Sequence, residues 1–297
     1  MITGKLYKSS VINFGYMSSI GCLFLVPTPI GNLQDITQRS VQTLADVDLV
    51  AAEDTRHSGL LLQHLGIKAK LVALHEHNEA EKSEWLIEHL LAGKNIALIS
   101  DAGMPLINDP GYVLVSACRA RNIPLTALPG PCALITALAG SGLPTHNFAF
   151  FGFLPVKTEA KRKALLSQIM PGQTAIYYEA PRRIVDTIEH CQKYLPQNAE
   201  LVIAKELSKT FETYVCGTAQ DILTWLHADA NHSKGEFVLL IHLPVVSNNN
   251  TLPQEAITLL QSLVDVVPPK KACGIVAQHY NLSKNKLYKH YLENGAS

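Results

Sequence analysis

From Gly21 to about Leu143, short apolar runs alternate with stretches of helical periodicity. The β-rich runs are Cys22 to Val26, Leu49 to Ala52, Leu71 to Leu74, Ile96 to Ser100 and Leu125 to Leu128. Between the first two, Val41, Leu44 and Ala45 fall at helical spacing behind Asp35, which is expected to cap that helix with Gln38 in the capping-box position. Further helices are expected over Ser58 to Leu65, Glu79 to Ala92 and Gly111 to Arg121. Strands separated by single helices pair in parallel, so this half predicts an α/β layer on a five-stranded parallel sheet.

After Phe150 to Pro155 the rhythm changes. A basic helix, KTEAKRKALLSQIM, leads to a strand at Ala175 to Tyr178 and a helix at Arg182 to Tyr194. Strands follow at Leu201 to Ala204 and Thr213 to Cys216, then a helix at Ala219 to His227 and a strand at Phe237 to Ile241. The short link around Lys209 implies antiparallel neighbours, hence a mixed sheet in a second α/β domain. VVSNNNTLP reads as a linker, and helical pattern resumes beyond it. The expected organisation is an N-terminal extension over 1–20, α/β domains over 21–145 and 150–244, and a small helical module over 252–297.

A chain of 297 residues, 47% hydrophobic, can bury a real core, and no run reaches the ~18 apolar residues that span a bilayer. The lysines and apolar residues of the first 26 positions resemble a signal peptide, but CLFLV is short and no small-residue cleavage site follows it. The first 20 residues therefore read as a loose extension, with Met17 a possible native start. The 25 basic side chains match the 25 acidic ones, so any basic surface is local. Six cysteines are scattered without a CxxC pair and read as buried free thiols in a reducing cytoplasm.

In open parallel sheets, ligands sit beyond the carboxyl ends of the strands. The loop after the first strand is VPTPIGNLQD, where a dinucleotide site would carry G-x-G-x-x-G to aim backbone N–H groups at a pyrophosphate. Pro27 and Pro29 delete two donors and leave Gly31 alone; what remains is rigid carbonyl oxygen, suited to a cationic centre and amino groups. SDAGMPLINDPG (Ser100 to Gly111) carries acidic turns at Asp101 and Asp109, and ALPGPCA closes the last strand. Three such loops at one edge form a rigid, donor-poor pocket. His75 and His77 flank Glu76, but no third ligand follows at suitable spacing, so a polar loop is expected there and no metal.

LVPTPIGNLQDIT, AAEDTR, SDAGMPLINDPG, LPGPCA, YYEAPRR, AKELSK and KGEFVLL occur in this order between Gly21 and Leu243. As a set they resemble the motifs of the tetrapyrrole-methylase-like (class III) S-adenosylmethionine-dependent methyltransferases, in the branch that modifies small-subunit ribosomal RNA. The resemblance implies a cytoplasmic homodimer of two α/β domains with the methyl donor between them. It also implies methylation of a cytidine ribose 2′-hydroxyl in 16S rRNA near the decoding centre, within the small ribosomal subunit. Methyl transfer is an in-line displacement that asks the protein for alignment and proton handling.

By the same resemblance, Pro29, Ile30, Gly31, the loop Asp101, Ala102, Gly103 and Met104, and Thr126, Pro129, Gly130 and Pro131 line the donor pocket from the first domain. Tyr178, Glu179, Ala180, Ala204, Leu207, Gly235, Glu236 and Phe237 close over it from the second. RNA contacts are expected from Asn32, Arg56, Arg182, Arg183 and, in the C-terminal module, Lys284, Lys286 and Lys289. Asp54, Lys205 and Glu206 are the candidate bases, with no choice among them; Lys205 also has the charge to reach a phosphate. Between Pro268 and Leu292 there are five lysines and no acid, on two short amphipathic stretches that resemble a helix-turn-helix. A methylase of a tetrapyrrole or other small molecule is the alternative on the same fold. A nucleotide-dependent oxidoreductase lacks its glycine fingerprint, and a non-enzymatic RNA-binding protein has no use for a three-loop pocket.

Overall fold

β1 (Leu23–Leu25), β2 (Leu49–Ala52), β3 (Leu71–Ala73), β4 (Ile96–Ile99) and β5 (Leu125–Ala127) form a wholly parallel sheet in the order β3-β2-β4-β1-β5. The structure is a computed structural model that describes residues 19–245, 252–280 and 282–294. β1, β2 and β4 are buried along their whole length, as parallel strands covered on both faces must be. On one face Phe24, Val50, Ala52, Ala97 and Ile99 pack with Leu44 of α1 (Gln38–Asp46) and Leu62 of α2 (Thr55–His64). On the other, Leu23, Leu25, Leu49, Ala51 and Leu98 meet α3 (Glu79–Leu91) and α4 (Tyr112–Ala120) through Leu86, Ile87, Leu90 and Leu114. The period-2 alternation of each strand divides its residues between these two cores.

The cap of α1 corrects the sequence expectation. Asp35 ends a 3-10 turn at Leu33–Asp35, and the hydroxyl of Thr37 accepts the amide of Ser40 as the true N-cap. Asp35 accepts a bond from the Ser208 hydroxyl instead. A Thr hydroxyl directly before the first helical residue reaches the free N–H groups, whereas Asp35 sits two residues too early.

The second sheet runs β6-β7-β10-β8-β9, from β6 (Phe148–Phe153), β7 (Thr174–Glu179), β8 (Glu200–Lys205), β9 (Thr213–Gly217) and β10 (Phe237–His242). Only β6 and β7 pair in parallel; β7, β10, β8 and β9 alternate, so the sheet is mixed. Its outer face packs on α6 (Thr158–Gln168), α7 (Ile184–Tyr194) and α8 (Ala219–Ala228) through Leu165, Ile188 and Ile222 against Tyr177, Ile203 and Leu239. Its inner face, Ile176, Val202, Ala204, Val238 and Leu240, packs on α5 (Ala133–Gly140) and on Ile30 and Ile107 from the loops of the first sheet. The periodicity reading contained neither α5 nor β6. α5 is apolar nearly all round and follows Pro-Gly-Pro, so it carries no amphipathic signal.

Both sheets belong to one compact unit ending at Pro244; the residues from Val245 form a second. In that second unit α9 (Gln254–Val264), α10 (Pro269–Tyr280) and α11 (Lys284–Asn294) bury Ala256, Leu260, Ala272, Val276 and Leu287. The extension expected over 1–20, including Met17, lies outside the described residues apart from Ser19 and Ile20, and Ile20 packs against the first core. The linker lies outside them over 246–251. All six cysteines are free, but only Cys118, Cys191 and Cys273 are buried. Cys22 and Cys132 are half-buried and Cys216 is exposed, which corrects the expectation of uniformly buried thiols. Cys216 is on β9, an edge strand with a neighbouring strand on one side only.

Leu239 is fully buried on the central strand β10. Leu239→Ala is expected to cost about 3 kcal/mol, read as a lowered urea midpoint with an unchanged slope.

Candidate active site

Because β1 and β4 are neighbours, the loops that follow them meet although more than 70 residues separate them. Thr28 N–H donates to the Gly103 carbonyl at 2.9 Å and Gly103 N–H donates back at 3.0 Å, while the Thr28 hydroxyl bonds Ser100 O at 3.1 Å. Pro27 and Pro29 have no N–H, and the one donor between them is consumed by this bridge. Gly103 has φ +87°, and a Cβ there would lie 3.2 Å from Ile30 Cγ2, so the bridge requires glycine. The start of α4 is occupied as well: Glu79 Oε1 accepts the amides of Gly111 at 2.8 Å and Val113 at 2.9 Å. A helix N-terminus that would otherwise attract phosphate is neutralised by a carboxylate of the chain itself.

These loops and the edge of the second sheet enclose a cavity of about 410 Å³. Ile30, Ala102, Gly103 and Met104 line it from the first sheet, and Tyr178, Glu179, Ala180, Ala204, Leu207, Glu236 and Phe237 from the second. Of the remaining residues expected in the pocket, Pro29 and Asp101 face an adjoining hollow with His57 and His64. Asp101 Oδ1 accepts the amide of Asp54 at 3.2 Å, tying the β4 loop to the end of β2. Gly31 is pressed against the loop after β8, where a Cβ would come within 2.9 Å of Leu207 O. Gly130 packs on Pro27, Pro131 approaches Gly103, and Gly235 sits against the Glu206 carboxylate. Thr126 lies on β5 with its hydroxyl 3.9 Å from Cys22 Sγ. These residues shape the loops rather than the cavity surface.

The cavity also takes Ile107, Asn108, Asp109, Cys132 and Ala133, from loops that the sequence reading set at the pocket without naming these residues as its lining, and Phe153, Pro181 and Val238, which it did not place there. One signal was present: Asn108 has φ +69°, and the run Asn-Asp-Pro-Gly marks a loop with left-handed backbone. Phe153 and Ala133 belong to β6 and α5, the two elements that the pattern did not show.

Behind the second-sheet wall lies a buried charge network. The Glu179 carboxylate is fully buried and accepts the Ala180 amide at 2.8 Å and the Thr187 hydroxyl at 2.7 Å, with the Arg183 guanidinium 3.2 Å away. Arg183 also donates to Leu154 O. The Lys161 ammonium, itself buried, bonds Thr187 at 3.0 Å and Asp186 at 2.5 Å. Arg183 therefore points inward, and of the two adjacent arginines Arg182 is the exposed one.

Each candidate base has a distinct setting. Asp54 caps α2 and chelates Arg56 at 2.7 Å; those bonds hold its carboxyl well below the usual carboxylate range. Glu206 Oε1 takes the Lys209 ammonium and the Glu236 amide, both at 2.9 Å. Burial pushes its carboxyl up, but these bonds outweigh that and leave it below its ordinary value. Lys205 is almost fully buried at the end of β8, opposite Phe237. Asp109 and Glu53 behave differently. Burial and the charge of Asp101 raise Asp109 to about 6, against the pull of the Ser100 hydroxyl. Burial, then Asp109, Asp101, Glu76 and Asp54, raise Glu53 to about 7. The His75 and His77 rings lie 6.0 Å apart, and among the described residues no three ligating side chains converge. Asn32 caps the 3-10 turn by accepting the Gln34 amide, and Arg56, Lys284, Lys286 and Lys289 are exposed.

The model of the tetrapyrrole (corrin/porphyrin) methylases matches residues 22–223. The chain belongs to that family. A second model, the RsmI C-terminal HTH domain, matches residues 250–295 of this methylase. The ribosomal RNA small subunit methyltransferase I of Vibrio cholerae is 49% identical over 272 residues, covering 92% of this chain and 94% of that one. Among solved structures, uroporphyrin-III-C-methyltransferase from Thermus thermophilus superposes with a TM-score of 0.54 at 20% identity, over 79% of this methylase and 100% of the other chain. A structure of that enzyme complexed with S-adenyl homocysteine has a TM-score of 0.51 at 15% identity, over 75% and 97%. At these identities the structural matches establish the fold.

Removing one member of a buried ion pair strands the other charge. Arg183→Ala is expected to destabilise the methylase by about 3 kcal/mol, whereas Arg182→Ala leaves the urea midpoint in place. Glu53 binds its proton more tightly folded than unfolded, so its contribution favours folding at low pH and fades as pH rises through about 7. Glu53→Gln should accordingly raise Tm at pH 8, with the gain shrinking toward pH 5, in paired thermal melts.

Proposed function

We propose that this methylase binds S-adenosylmethionine in the cavity between the two sheets and methylates the ribose 2′-hydroxyl of a cytidine in 16S rRNA. The observation that carries the reading is the wall itself, a largely apolar cavity beside which Pro27 and Pro29 have no N–H, the Thr28 and Gly103 amides are consumed by each other, and the Gly111 and Val113 amides are consumed by Glu79. Such a wall is poorly suited to a pyrophosphate and well suited to a phosphate-free cofactor with a cationic sulfonium centre. When bound, S-adenosylmethionine supplies an activated methyl group. Ile30, Gly103, Met104, Ala180, Leu207 and Phe237 would hold it and exclude water, so that the residues of the chain are left with alignment and the proton.

Two features favour RNA over a small molecule. Relatives such as that of Vibrio cholerae carry a ribosomal RNA name across nearly their whole length, and α11 presents Lys284, Lys286 and Lys289 to solvent, where phosphate contacts would add salt-dependent affinity. Arg56 and Arg182 would add contacts from the first unit. The family resemblance carries the finer expectations of a homodimer acting in the cytoplasm on the small ribosomal subunit. Tetrapyrrole methylation on the same fold leaves the lysines of α11 without a task.

Calorimetry is expected to show uptake of S-adenosylhomocysteine and none of NAD or ATP. Mass spectrometry of 16S RNA from a strain lacking the gene should show the loss of one 2′-O-methylcytidine. Tight NAD binding, or an unchanged modification profile, would overturn the reading.

A further inference from the structure

Three carboxylates line the cavity: Asp109, Glu179 and Glu236. Glu179 is saturated by Arg183, Thr187 and the Ala180 amide. Glu236 is largely exposed and paired with Lys209 at 3.1 Å. Among the described residues no cation pairs with Asp109, which is half-buried on the β4–α4 loop between Asn108, in left-handed backbone, and the buried Pro110. A carboxylate locked to a cation is a weak proton acceptor, and one held in a part-desolvated wall without a counter-charge is a better one.

We infer that Asp109 accepts the proton of the attacking ribose hydroxyl, an assignment that rests on the methyltransferase reading above. The hydroxyl oxygen bonds the methyl carbon, the carbon–sulfur bond breaks with its electron pair left on sulfur, and the hydroxyl proton passes to an Asp109 carboxylate oxygen. Charge and atoms balance with no further reactant. The loop geometry serves this role: Gly103, Leu106, Asn108 and Gly111 all have positive φ, so the backbone from 103 to 111 is set by its packing and fixes Asp109 at the cavity surface. The ionisable groups that bear on Asp109 are Asp101, which raises it, and Glu53 and Tyr178, which it raises in turn; Glu76 and Asp54 act on Glu53. The Ser100 hydroxyl is the neutral donor beside it. Asp109 consequently titrates at about 6, where an acceptor is ionised at neutral pH yet retains basicity.

The test uses the full chain and small ribosomal subunits from a strain lacking the enzyme, in single-turnover transfer from pH 5 to pH 9. Wild-type transfer should rise with pH through about 6. Asp109→Asn should slow it about 100-fold or more and abolish the rise, while calorimetric affinities for S-adenosylhomocysteine and S-adenosylmethionine stay near wild type. Asp109→Glu should restore the pH-dependent rise at part of the rate. Carboxyl 13C NMR, independent of turnover, should show an aspartate titrating near 6 in the wild type and not in Asp109→Asn. Wild-type rate and profile in Asp109→Asn overturn the inference. So does a loss of S-adenosylmethionine affinity with S-adenosylhomocysteine binding retained, which assigns the charge to the sulfonium, or a loss of both, which assigns the residue to the pocket's integrity. If the wild type transfers no methyl group to the subunit, the functional reading fails first, and that result is distinct from active wild type with an active Asp109→Asn.

Discussion

The reciprocal pair of backbone hydrogen bonds between Thr28 and Gly103 is the constraint on which the site depends. It fuses two loops from neighbouring strands, uses the one amide that Pro27 and Pro29 leave between them, and presses Ile30 onto the inner face of the second sheet. Backbone polar groups in a buried loop must find partners. Here they find each other, so neither amide is left to face a ligand. The helix that follows is silenced in the same way by Glu79. The familiar phosphate-binding features of α/β folds are thus present in position and cancelled in chemistry.

On the opposite wall the second sheet keeps its charge behind the surface. Glu179 ends β7 at the cavity, yet its oxygens are turned to Ala180, Thr187 and Arg183, and Lys161 completes the network from α6. A buried ion network of this kind adds little net stability compared with apolar packing, but it makes the geometry of the Ala180–Pro181 turn hard to deform. Alignment in methyl displacement depends on such rigidity. Glu206 does related work at the far end, where its carboxylate joins Lys209 and the Glu236 amide and so sets the loop that closes against Gly31.

Among the carboxylates, cation pairing separates structure from chemistry. Asp54, Glu179, Glu206 and Glu236 each have a cationic partner. Glu53 and Asp109 sit amid other acids at the edge of the first sheet and hold their protons to about 7 and about 6. Titratable groups driven toward neutral pH at a cavity are where proton transfer is expected.

Periodicity alone determined the parallel sheet of the first half, the antiparallel strands of the second and the helical C-terminal stretch, because strands and helices imprint periods of 2 and 3.6 on apolar positions, while the parallel strand β6 that makes the second sheet mixed came only from the structure. Composition of the loops, two prolines where glycines would serve a nucleotide, already spoke against phosphate. β6 and α5 were hidden, since Phe148–Phe153 and Ala133–Gly140 carry neither period cleanly. Only the tertiary structure decided which loop residues form the cavity wall and which merely shape it, turned Arg183 inward beside Arg182, and set Asp109 apart from Asp54 and Glu206. Those distinctions depend on where a side chain finds its partner, and Glu179 with Thr187, or Thr28 with Gly103, meet only when strands distant in sequence become neighbours in space.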